Sequence, residues 1–227
     1  GRDYIKDWVM DIHRTFNAFE DLEIPKVVAI NGFALGGGLE MCLVNDYRVM
    51  SDKAQIGLPE LNLGLIPGFG GTVRIARVAG PAKGIEWIST SRPRKAQQAL
   101  ADGVVDEIAP HDELREVALN AVKKAIAGEI DWQAKRNIKL QAIAMPEDAS
   151  KDFFTNIRAE LSKKTNPEQY PASKAYLDVI EESAAMSRDQ AVEVEANHFA
   201  DVCVTPQADA LIGLFLSDQG IKRIAKQ

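Results

Sequence analysis

Two acidic side chains and a glycine cluster are the residues of this chain whose types and spacing could do chemistry. The stretch Asn31-Gly32-Phe33-Ala34-Leu35-Gly36-Gly37-Gly38-Leu39-Glu40 reads as a strand feeding a glycine-rich turn that opens a helix. Such a turn leaves backbone N–H groups unpaired at the positive end of the helix dipole, where a carbonyl oxygen can gain negative charge. Glycine suits the turn because a Cβ would block a ligand's approach. Further on, Leu58-Pro59-Glu60 sets a second carboxylate in an apolar, proline-stiffened loop. Two acids beside one oxyanion site suit a reaction that adds and removes protons next to a carbonyl, one acid serving each proton.

Each feature also has a plainer reading. A glycine cluster permits close helix–strand packing, Glu40 suits the first turn of any helix, and Glu60 could be a surface-loop acid. Phosphate loops fail on spacing: Gly32, Gly36, Gly37 and Gly38 do not form G-x-G-x-x-G, and no G-K-[ST] follows. His13, His111 and His198 share no ligand spacing, and Cys42 and Cys203 lack a C-x-x-C pattern. No metal site is expected, and both thiols are expected to be ordinary buried ones.

The elements that must position these residues follow from periodicity. Ile5, Val9, Ile12, Phe16 and Phe19 recur at three- and four-residue steps, predicting an amphipathic helix over 3–19 that Pro25 closes off. Val27-Val28-Ala29-Ile30 predicts a buried strand turned by Asn31-Gly32, followed by a helix from Gly37 to Val44 and a second strand from Tyr47 to Met50. The segment 55–72 is rich in Gly and Pro yet holds Ile56, Leu58, Leu61, Leu63, Leu65 and Ile66, as a packed functional loop would. Helices are predicted over 72–78, 82–90, 95–101 and 112–127, with a strand at Val104-Val105-Asp106-Glu107-Ile108. Alternating strand and helix signals over 25–127 predict an α/β layer architecture. Beyond Trp132 only helical patterns remain, broken at Met145-Pro146 and over 166–171, so a boundary is expected near residue 130: a core over 1–130 and a helical region over 131–227. The apolar spacing of Ala208 to Leu216 suits a helix that caps the core.

Composition narrows the function classes. The chain has 227 residues, 46% hydrophobic and 26% charged, with a net charge of -6, which suits a globular core and gives no footprint for a nucleic-acid partner. No apolar run reaches the roughly 18–20 residues that span a bilayer. The charged opening Gly1-Arg2-Asp3-Tyr4-Ile5-Lys6-Asp7 lacks the apolar stretch of a signal peptide, so a reducing compartment is expected.

Three segments together carry a specific resemblance: Ala29 to Glu40, then Ile56-Gly57-Leu58-Pro59-Glu60, then Gly64-Leu65-Ile66-Pro67-Gly68-Phe69-Gly70-Gly71-Thr72. In this order and spacing they resemble the crotonase (enoyl-CoA hydratase/isomerase) family, most strongly over residues 5–127. The resemblance implies an α/β crotonase-like spiral core and an acyl-CoA thioester substrate. It implies that Gly37 N–H is one of two donors to the thioester oxygen, and that Glu40 and Glu60 bind a water and move protons. Gly68 is implied to help place that water, and Leu35, Gly36, Pro59, Pro67 and Phe69 to line the substrate pocket. Hydration of trans-2-enoyl-CoA is the expected activity, because both acids are present. Double-bond isomerisation is expected beside it, with Glu60 moving a proton between C2 and C4; an isomerase alone is the alternative.

The helical region, with Asp131-Trp132-Gln133-Ala134-Lys135-Arg136, resembles the N-terminal half of bacterial multifunctional β-oxidation α subunits. That likeness implies a thiolase subunit as partner, a bacterial cytoplasmic location, and a 3-hydroxyacyl-CoA dehydrogenase domain beyond Gln227. No resident cofactor is expected here: coenzyme A belongs to the substrate, and NAD to the dehydrogenase domain. In the family pattern the other oxyanion donor lies upstream of Gly1, so an N-terminally truncated core is expected. A competing expectation is an inert fragment that serves as an assembly module.

Overall fold

A computed structural model describes residues 1–143, 145, 147–163 and 165–225. The first helix, α1 (Arg2–Glu20), leads to β1 (Val27–Ile30), β2 (Phe33–Leu35) and α2 (Gly37–Leu43). Then come β3 (Tyr47–Ser51), β4 (Gln55–Gly57), a 3-10 turn (Glu60–Leu63), α3 (Gly71–Val78) and α4 (Pro81–Thr90). After β5 (Arg94–Lys95), α5 (Ala96–Ala101) and β6 (Glu107–Ala109) the chain is helical: α6 (Leu114–Ile126), α7 (Trp132–Leu140), α8 (Glu147–Ser162), α9 (Ala172–Ser183), α10 (Arg188–Cys203) and α11 (Pro206–Ile224). The architecture is α/β with a helical C-terminal region. The predicted break at Met145-Pro146 involves Pro146, which lies outside the described residues, as does Gln227.

Two small sheets organise the first half. One has the order β1-β3-β6 and the other β2-β4-β5, with all pairs parallel except β4–β5. Val27 to Ile30 pair with Tyr47 to Met50, and helix α6 covers that sheet with Leu114, Ala118 and Ala121 against Val49 and Ala109. β1 has no second neighbour among the described residues and is an edge strand. In the second sheet, Leu35 stands in register with Gly57, so β2 and β4 end side by side.

The helices beyond residue 130 share one buried cluster with the sheet-bearing part. Val9, Leu39, Ile56 and Trp87 pack in the same core as Phe154, Tyr176, Val179 and Phe199. Helix α10 lies on α1 and α9, its small residues Ala191, Ala196 and Ala200 allowing close approach. The expected division near residue 130 therefore separates sheet-bearing from all-helical sequence within a common core.

Some predicted elements differ from those observed. The strand expected at Val104 to Ile108 is displaced to Glu107–Ala109, because the amides of Val104 and Val105 both bond to Ala99 O and close the end of α5. The loop over 55–72 contains a strand and a 3-10 turn, and the stretch before the glycines forms a strand of its own, β2. Helix α11 caps the core only at its start, where Ala208 is buried against Gly64, while Leu214, Phe215 and Leu216 face outward. Cys42 is buried as expected, but Cys203 is only half-buried.

No single helix among the described residues is long and apolar enough to cross a membrane. The pair α10 and α11 is so only when taken together, and it bends by 74°.

Candidate active site

The site arises where β2 and β4 end. Because these strands are parallel and in register, the chain leaving β2 at Gly36 and the chain leaving β4 at Gly57 emerge on the same side. The Gly36 N–H donates to Gly57 O at 2.9 Å, locking the two exits together. Gly36 has φ 55°, a left-handed conformation that favours glycine, and a Cβ there would sit 3.0 Å from Glu60 Oε1. This turn starts α2, whose first turn carries Glu40. At its other end α2 is held by Lys139 Nζ, which donates to Leu43 O at 3.0 Å and to Asn45 O at 2.7 Å.

Glu40 is 2% exposed, and its Oε1 accepts from Phe69 N and Gly71 N, each at 2.8 Å. Both donors come from the turn entering α3, where they are free of intrahelical partners. Gly71 has no room for a side chain, since a Cβ would lie 2.5 Å from Glu40 Oε1. The Phe69 ring lies beside Gly37, 3.4 Å from where a Cβ would be, and stacks edge-on with Trp8 and Phe16 of α1. Glu60 is half-buried, and its Oε2 is buried without a protein partner among the described residues.

These surroundings raise both acids. Burial pushes Glu40 up to about 7, against the pull of the Phe69 and Gly71 amides toward the charged form. Burial, then the negative charge of Glu40, pushes Glu60 up to about 8. The member with two N–H donors is the better place for the negative charge, and the member with an unpartnered oxygen is the better place for the proton. Around neutral pH the pair therefore holds one proton, mostly on Glu60, and can supply one base and one acid together.

Of the residues singled out in the sequence, Gly36, Gly37, Glu40, Glu60 and Phe69 come together. Leu35 and Pro59 flank them at the ends of β2 and β4, and Pro67 O accepts from the Thr72 hydroxyl at 2.9 Å, fixing the turn below Glu40. Gly68 packs on α10, where a Cβ would meet the Phe199 ring at 2.2 Å. A cavity of about 400 Å³ bordered by Leu61, Ser89, Leu161, Tyr176 and Leu177 adjoins this region through Leu61 and includes neither carboxyl.

Sequence reasoning gave no role to four buried groups here. Glu195 of α10 accepts from Gly70 N at 2.6 Å and Val73 N at 3.0 Å, on the same turn that serves Glu40. His13 lies 3.6 Å from Glu195, and Arg74 reaches Glu20 at 2.7 Å. The available signal was an ionisable residue on an apolar helical face: Glu195 falls in the stripe of Ala191, Val192 and Phe199, and His13 follows Val9 by one turn.

Known proteins resemble the chain along its whole length. Residues 8–178 match the enoyl-CoA hydratase/isomerase family. The whole chain is 51% identical over 227 residues to the fatty acid oxidation complex subunit alpha of Acinetobacter baylyi, and covers 32% of that protein. It is 52% identical over 223 residues, 98% of the chain, to the protein of the same description from Psychrobacter arcticus, covering 31% of it. The chain thus spans about a third of the length of these relatives. Among solved structures, an enoyl-CoA hydratase/isomerase from Pseudoalteromonas atlantica superposes with a TM-score of 0.58 at 20% identity, over 90% of this chain and 66% of that one, and so shares the fold. With the glycine turn, the paired glutamates and the whole-length similarity in place, the chain belongs to the enoyl-CoA hydratase/isomerase (crotonase) family.

Proposed function

We propose that this chain carries the enoyl-CoA hydratase site of a β-oxidation enzyme, adding water to trans-2-enoyl-CoA to give 3-hydroxyacyl-CoA. The observation that carries the reading is the pair of buried carboxyls beside the Gly36–Gly37 turn, one favoured as carboxylate and one as acid. Gly37 N–H donates to the thioester oxygen, drawing electron density from C3. Glu40 takes a proton from a water that Gly68 helps to place, and the hydroxide oxygen bonds to C3. The electrons of the C2=C3 bond move to C2, which takes the proton of Glu60. Water has then been divided across the double bond, and proton exchange with solvent or between the acids resets the pair. Leu35, Gly36, Pro59, Pro67 and Phe69 line the acyl path in this reading.

Double-bond isomerisation needs only one group able to take a proton from one carbon and return it to another. We assign that to Glu60, whose unpartnered Oε2 is free to carry it. The relatives named as fatty acid oxidation complex subunits support the β-oxidation role. By the same likeness we propose a thiolase subunit as partner, a bacterial cytoplasmic location, no resident cofactor in this region and a dehydrogenase domain in the whole protein. An inert assembly module has no use for two acids raised toward neutrality, which favours the enzyme. Following loss of the conjugated thioester absorbance of crotonyl-CoA tests the reading on the intact protein. Turnover that disappears in Glu60→Gln is expected; no turnover by the unmodified protein would refute the hydratase assignment.

A further inference from the structure

The turn Phe69-Gly70-Gly71-Thr72-Val73 serves two buried carboxyls in alternation. Phe69 N and Gly71 N donate to Glu40, whereas Gly70 N and Val73 N donate to Glu195, at 2.6 and 3.0 Å. Glu195 is 0% exposed, and it reaches the turn from α10, an element that supplies neither of the two paired acids. Both carboxyls thus draw on one short turn through interleaved amides, so holding one set restrains the other. Resting on the hydratase reading above, we propose that Glu195 is a positioning residue for hydration: by gripping Gly70 N–H and Val73 N–H it keeps Phe69 N–H and Gly71 N–H aimed at Glu40.

Its surroundings are compatible with that task. From α1, His13 Nε2 approaches Glu195 Oε1 at 3.6 Å; from α3 come Arg74 and Arg77, from α2 Glu40, and from the 3-10 turn Glu60. Burial and then the charge of Glu40 push Glu195 up to about 8, against the Val73 and Gly70 amides, while burial and the charge of Arg74 push His13 down to about 3. Two amides favour the charged carboxyl while burial and Glu40 oppose it, so the grip depends on the aim of both N–H groups.

The test uses Glu195→Ala and Glu195→Gln in the intact protein, with crotonyl-CoA hydration and the 13C carboxyl titration of Glu40 as readouts. In Glu195→Ala the turn loosens. We expect kcat to fall roughly 10- to 100-fold, as misplacement of a catalytic group does, with KM little changed. Glu40 should also titrate at higher pH than in the parent, because its two N–H donors are less well aimed. Glu195→Gln keeps one acceptor oxygen but turns its NH2 toward the other amide, so it should restore only part of both. A brace that serves the fold alone would lower Tm without moving the Glu40 titration, and that result would overturn the proposal. If the alanine variant does not fold, Glu195→Asp, which draws the carboxyl back by one methylene, makes the same comparison. A parent without hydratase activity would refute the functional reading, while the Glu40 titration would still decide whether Glu195 positions it.

Discussion

Glu40 and Glu60 are the same side chain given different tasks by what touches them. Two amides of the α3 turn face Glu40, and among the described residues no donor faces the buried oxygen of Glu60. The pH dependence of kcat/KM follows with its sign. Hydration needs Glu40 ionised, so the rate is lost as pH falls through about 7, and it needs Glu60 protonated, so the rate is lost as pH rises through about 8. A narrow bell is expected, its limbs belonging to the coupled pair rather than to either residue alone. A rate that climbs steadily past pH 9, well beyond the range of carboxylic acids in this site, would contradict the assignment of an acid to Glu60. Glu40→Gln keeps the shape and removes the base, so kcat should fall by at least ~100-fold; steady-state kinetics that show near-normal turnover would remove Glu40 from the mechanism. Both acids were legible in the sequence, because each stands in a local motif with its own signal. Glu195 was not, because its link to Glu40 runs through backbone amides that no linear pattern encodes.

At the scale of elements, helices are held around the site by buried charge as well as by apolar contact. Glu20, at the end of α1, meets Arg74 of α3 at 2.7 Å, Lys139 of α7 at 2.8 Å and Arg188 of α10 at 3.1 Å. Burial alone would push Glu20 up, but the charges of Arg74 and Lys139, with their hydrogen bonds, hold it down near 2. A carboxyl depressed in the folded state contributes stability that is fully present above its unfolded value of about 4.3 and is lost as pH falls toward 2. Glu20→Gln leaves three cations facing an uncharged partner and should cost about 3–5 kcal/mol of stability, read as a lower midpoint in urea. It should also flatten the loss of stability between about pH 4 and pH 2. An unchanged midpoint and acid limb would show that the cations are satisfied elsewhere. Long periodic helices such as α1 were legible, although the α1 face is turned to bury His13 and Glu20 rather than Phe19. Short strands were not: β2 and β5 have three and two residues, too few for a period to register. Val104 and Val105 mimic a strand because burial in a loop selects the same residue types as burial in a sheet.

Across the whole molecule, one side is closed and another is open. The core runs from α1 through both sheets to α10, yet Leu214, Ile221 and Ile224 of α11 lie in one stripe and are each about two-thirds exposed, at 67%, 67% and 70%. Phe215 and Leu216 are exposed on other sides of the helix, and the stripe is an apolar surface of the kind that seeks a partner. This chain should therefore self-associate with rising concentration in sedimentation velocity, and Leu214→Glu with Ile221→Glu should suppress that; a monomer at every concentration would contradict it. The sequence pattern gave Ala208 to Leu216 an apolar spacing suited to covering a core, and it could not tell a core from a partner, because both reward the same spacing.

In the proposed reaction, two carboxyls on one side of the substrate divide a water across C2=C3. Crotonyl-CoA hydrated in D2O tests it most directly, through the proton NMR couplings of the 3-hydroxybutyryl-CoA formed. One deuterium is expected at C2, delivered to the same face as the C3 hydroxyl, with this product lost in Glu60→Gln. Deuterium placed equally on both faces, or a Glu60→Gln variant that still labels C2 at the parent rate, would contradict it.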